Sequence, residues 1–182
     1  MIIMKRLLSI LGVFFFCMLS PNMVKGQNNG AVISISASAN APMMKGKGIT
    51  VHVANIETGE VLISKSLNRI SNSSVIENVP AGKYAVTFAE IPFGNIKWRN
   101  WSPDLQDFFG IIQLDLGDSY YLGTYEATYE GGLKDRRVMF YYRDNIIPEK
   151  LIKYFKKHNI PTEDIKYLEP AEKSFVFANP SL

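Results

Sequence analysis

The sequence predicts a mainly β protein: an antiparallel β-sandwich of seven to eight strands with a short C-terminal helical extension. Three observations carry that expectation. Apolar and polar residues alternate in short runs, as at Ile49, Val51 and Val53. Turn signals separate the runs, at Thr58-Gly59, Pro80-Ala81-Gly82, Gly117-Asp118 and Gly131-Gly132. From Pro148 onward the apolar spacing becomes that of a helix.

The elements run in order along the chain. Val32, Ile33 and Ile35 mark a first strand, ended by an Ala/Ser-rich stretch and Pro42, and Lys45 to Gly48 forms a loop. Ile49, Val51 and Val53 give a half-buried strand, with His52 on its opposite, solvent-facing side. Glu57 to Glu60 turns the chain, and Val61 to Leu67 returns it. Val75, Ile76 and Val79 lead to the turn at Pro80, after which Tyr84, Val86 and Phe88 alternate again. Ile91 to Asp107, containing Pro92, Gly94 and Pro103, reads as a long irregular loop. Three further strands are expected over Phe109 to Leu116, Ser119 to Tyr129 and Arg137 to Tyr142.

The tail changes character. Pro148 suits a helix start, Ile147, Leu151, Ile152 and Phe155 share one face, and Asn159 and Pro161 end the helix. Lys150, Lys153, Lys156 and Lys157 lie around the remainder, as a solvated face or as a basic patch for a partner. A short turn is expected over Thr162 to Leu168, and an edge strand at Phe175-Val176-Phe177.

Charge placement sets the compartment. The chain has 182 residues, with 20 Lys and Arg against 17 Asp and Glu. Lys5, Arg6 and Lys25 fall in the first 26 residues, which hold no acid, so the remaining 156 carry 17 charges of each sign. A neutral body without a basic stripe argues against nucleic acid as a partner. Residues 1–26 read as a signal peptide: two cations, then an apolar run from Leu7 to Leu19, then Pro21. That run of 13 residues falls short of the roughly 20 that span a bilayer, so no stable transmembrane segment is expected. Phe14-Phe15-Phe16 stand where lipid attachment at Cys17 would call for small residues. The expected organisation is a signal at 1–26, a sandwich over 27–144 and a helical tail over 145–182 packed on it. The mature domain is expected in the periplasm, on the cell surface or secreted. Cys17 is the single cysteine, so the mature chain has no disulfide, thiol nucleophile or cysteine-zinc site.

The stretch from Gly48 to Phe88 resembles the carboxypeptidase-regulatory-like, prealbumin-like (transthyretin-like) β-sandwich modules of exported bacterial envelope proteins. The residues that carry it are Gly48 to Val53 with Thr58-Gly59, then Ile76-Glu77-Asn78-Val79-Pro80-Ala81-Gly82-Lys83-Tyr84. Ser119-Tyr120-Tyr121-Leu122 is similar to a later strand of such proteins. The resemblance implies an Ig-like or prealbumin-like sandwich in a non-catalytic, accessory role. It covers about 40 residues and specifies turns and strands, which is weak warrant for chemistry.

Catalytic signatures are sparse. His52 and His158 are the two histidines, and neither has an acid or second histidine at metal-ligand spacing, so no metal or cofactor is expected. There is no Gly-x-Ser-x-Gly elbow, and Gly46-Lys47-Gly48 lacks the rest of a phosphate loop. Asn72-Ser73-Ser74 and Asn100-Trp101-Ser102 match the glycosylation pattern, which carries no meaning in a bacterial source.

The 93–109 segment is the most informative. It holds both tryptophans, with Phe93, Phe108 and Phe109, among polar side chains. Aromatic faces beside amide and carboxylate groups suit a glycan or protein partner. Trp98, Arg99, Asn100, Trp101, Asp104 and Asp107 are therefore the candidate ligand-binding residues. Two other uses stay open. The aromatics can simply pin a long loop over the open end of the sandwich. Asp104 and Asp107 can serve as the carboxylates of a hydrolase.

Overall fold

A computed structural model describes residues 30–39, 48–67, 72–93, 96–101, 103–131 and 137–177. The signal-like segment, Cys17 and Lys45-Gly46-Lys47 lie outside the described residues. The chain forms β1 (Ala31–Ala39), β2 (Thr50–Asn55), β3 (Val61–Ile63), β4 (Lys65–Ser66), β5 (Ser73–Val79) and β6 (Gly82–Phe93). Next come β7 (Ile96–Trp101), α1 (Pro103–Phe109), β8 (Ile111–Leu114), β9 (Ser119–Glu130) and β10 (Arg137–Asp144). The tail supplies α2 (Glu149–Lys157), β11 (Lys166–Tyr167) and β12 (Ser174–Phe177).

Two sheets share one core, as in a β-sandwich. The larger runs β12-β10-β9-β1-β5-β4 with β11 beside β9, and the smaller runs β3-β2-β6-β7 with β8 beside β6. Ile33, Ile35 and Val138 from the first sheet meet Val51, Val53, Val86 and Leu114 from the second. Burying such side chains supplies the main driving force for the arrangement. Most pairings are antiparallel, as expected, but β1 runs parallel to β9, as does β11. The expected all-antiparallel sheet is corrected there: β1 lies between β9 and β5, so it is a central strand.

That position explains the Ala/Ser stretch. Ile33, Ile35 and Ala37 face the core while Val32, Ser34 and Ser36 are buried on the other side. The hydroxyl of Ser34 donates to the Tyr120 carbonyl, and Ser36 shares a hydrogen bond with Ser73. With their polar groups satisfied, serines can occupy a two-sided interior strand. The small polar residues read as a strand end are instead its continuation.

Val61 to Leu67 does not form one strand. The chain changes sheets at Ser64, whose hydroxyl accepts the Val51 N–H at 2.8 Å, so β3 joins one sheet and β4 the other. Two interior strands change phase at bulges. In β9 the pairing with β1 slips between Ser34 and Ser36, at Gly123 (φ +110°), so Leu122 and Tyr125 both enter the core. In β5 Asn78 (φ 58°) does the same for Ile76 and Val79.

The chain after β10 adds α2, β11 and β12. α2 lays Leu151 and Phe155 against Val32, Val75 and Tyr121, covering the outer face of the larger sheet. Asn159 adopts φ 56°, and Ile160 N–H returns to the Phe155 carbonyl at 2.9 Å, which closes the helix in a Schellman motif. The turn expected over Thr162 to Leu168 contains β11, and the Phe175 strand is β12 at the edge of the sheet.

Candidate functional site

The long loop expected over Ile91 to Asp107 is two regular elements. β6 continues to Phe93, β7 runs back beside it, and α1 follows at once. The register places Trp101 opposite Phe88, Arg99 opposite Glu90 and Trp98 opposite Ile91. Local chemistry accounts for this. Ile96-Lys97-Trp98-Arg99 alternates with the period of a strand. Pro103 begins the helix, and Leu105, Phe108 and Phe109 fall at helical spacing on one side. All three are buried, and both phenylalanine rings lie against Tyr125 and Phe175. Two of the aromatics assigned to a loop are thus core residues.

The candidate residues divide accordingly. Asp107 is exposed on α1. The side chains of Trp98, Arg99, Asn100, Trp101 and Asp104 lie outside the described residues, although their backbone positions in β7 and α1 are given. Beside α1 the surface opens into a cleft of about 400 Å3. Asp107, Glu172 and Ser174 supply its polar groups; Phe108, Met139, Phe175 and Val176 its apolar ones. Glu172, Ser174 and Met139 were not singled out by the sequence, because only the pairing of β10 with β12 brings them to α1.

The other groups with chemical potential sit apart. His52 lies half-buried on the outer face of the smaller sheet, its ring 4.3 Å from that of Phe88. Burial lowers its pKa below the ordinary histidine value, against the opposing pull of the Glu90 carboxylate. His158 caps α2 and stacks on Tyr154 at 4.1 Å. Tyr154 reaches from α2 to the Glu77 carboxylate on β5, and burial followed by that hydrogen bond raises its pKa. Tyr121, under α2, is pushed up to about 12, chiefly by burial. Its hydroxyl pairs with Thr124, which donates to the Ile146 carbonyl. Among the described residues Tyr84, Tyr121 and Tyr125 are buried, whereas Tyr167 is exposed. Among the described residues no group of three or more His, Cys, Asp or Glu could hold a metal ion. No helix among them is long and apolar enough to cross a membrane.

Comparison with protein-family models, with curated proteins and with solved structures gave no match.

Proposed function

We propose that this chain is an exported, non-enzymatic β-sandwich module of the cell envelope, prealbumin-like in its strand-and-turn pattern, that binds a protein or glycan partner. The observation that carries the reading is the cleft beside α1, where carboxylate, hydroxyl and apolar groups share one concave surface next to the 93–109 segment. Such mixed linings suit ligands that offer both hydroxyl and C–H surface. Export rests on the cationic, apolar start of the chain and on the balanced charge of the remaining 156 residues.

The test is to probe the mature chain on envelope glycans and peptides beside a Trp98→Ala/Trp101→Ala double variant. Retained stability with lost binding supports the module, whereas unfolding makes the two indoles structural anchors and the chain a structural envelope protein. A carboxylate hydrolase is the second reading, favoured by Asp107 and Glu172 lining the same cleft. It requires that Asp107→Asn and Glu172→Gln each abolish turnover; turnover retained in both eliminates it.

A further inference from the structure

A second concave surface lies on the far side of the larger sheet, where α2 meets the chain leaving β10. This hollow of about 530 Å3 is walled by Ile146, Ile147, Ile152, Ile165 and Tyr167. Its volume falls in the range of small-molecule pockets, and an apolar lining with few polar groups is the usual composition of such sites. Asn145, Thr162 and Lys156 supply its polar groups, and Lys156 is the cation among them. Among the described residues, Glu149 pairs with Lys153 and no carboxylate pairs with Lys156. At the rim Ile146 is 73% exposed and Tyr167 52%, large apolar surfaces held in water beside cations.

We propose that this hollow is a binding site for an anionic amphiphile: an apolar chain for the isoleucines and an acid group for Lys156. The site is separate from the cleft beside α1 and stands or falls independently of it. An acylated amino acid carries both features, and so does an acidic lipid. Their shared chemistry is an acyl chain ending in an anion.

The probe is N-decanoylglycine, kept monomeric, titrated calorimetrically into the mature chain. Saturable one-to-one binding is expected. Lys156→Met should weaken it about tenfold or more, as for loss of a charge-assisted hydrogen bond. The methyl ester of the probe should bind wild type and Lys156→Met alike. Parallel titration with vesicles containing phosphatidylglycerol separates the sources: capture only of the monomer assigns a free amphiphile, and capture of vesicles lost in Lys156→Met assigns a bilayer lipid. No saturable binding of either probe, or an affinity unchanged in Lys156→Met, overturns the proposal. Circular dichroism of the variant excludes misfolding as the cause of lost binding.

Discussion

The Tyr84 hydroxyl donates to the Pro80 carbonyl at 3.0 Å, tying the first core residue of β6 to the turn that precedes it. Between them Gly82 brings its backbone against Asn55, whose Oδ1 accepts the N–H groups of Glu57 and Thr58 in the β2–β3 turn. The Val-Pro-Ala-Gly-Lys-Tyr stretch is thus a clamp joining two turns at one end of the sandwich. Tyr84→Phe should cost about 1 kcal/mol, the net worth of one hydrogen bond. Gly82→Ala should cost more: its φ is +153° and an added Cβ would stand 2.9 Å from Asn55 Nδ2. Urea denaturation of both variants checks the order.

Gly123 sets the phase of β9. Its φ of +110° disfavours any side chain, and a Cβ there would meet the Tyr142 ring at 2.8 Å. Gly123→Ala should destabilise by about 2–3 kcal/mol. Adding Tyr142→Leu should return only part of the loss, because the ring contact is relieved and the backbone strain is not. Thermal unfolding of the single and double variants separates the two contributions.

Asn159 occupies the left-handed position after α2. Asn159→Gly should raise stability by about 0.5–1 kcal/mol, since glycine takes that conformation without steric cost. A rise in melting temperature is the expected outcome, with the α2 contacts of Leu151 and Phe155 retained.

The buried tyrosines predict alkaline sensitivity. Tyr121, Tyr125 and Tyr154 all hold their protons more tightly in the folded chain, chiefly through burial. A phenol whose folded pKa exceeds its unfolded value contributes stability that is complete below about pH 10 and declines as pH rises from there. For Tyr121 the decline ends near pH 12. Stability should therefore fall above pH 10, and less steeply in Tyr154→Phe. Chemical denaturation across that range, with phenolate absorbance followed in parallel, measures both. His52 acts in the opposite sense. Its lowered pKa gives a contribution present above its ordinary value near 6.5 and lost as pH falls through the folded value.

Sequence periodicity located most strands because each buries one face. Ile49, Val51 and Val53 enter the core as their alternation predicts. It failed where burial was two-sided or the phase slipped. The serines of β1 are interior because Tyr120 and Ser73 supply their hydrogen bonds, which are contacts distant in sequence. Pro92 and Pro103 read as loop markers, although Pro92 stands near the end of β6, past Glu90 where the pairing with β2 stops, and Pro103 at the first turn of a helix. The signals for β7 and α1 were present in Ile96-Lys97-Trp98-Arg99 and in the spacing of Leu105, Phe108 and Phe109. Neither the cleft nor the hollow was legible, since each joins segments that meet only after the sheets assemble.

The binding role of the cleft beside α1 is tested most directly by an Asp107→Asn/Glu172→Gln variant. Both side chains line the cleft, and Asp107 is exposed, so their exchange leaves the core intact. Affinities of wild type and variant are to be measured by calorimetry against the tightest glycan or peptide found for the mature chain. The account predicts a loss of at least tenfold with an unchanged melting temperature. Undiminished affinity in the variant, or no glycan or peptide bound by the wild type, would contradict it.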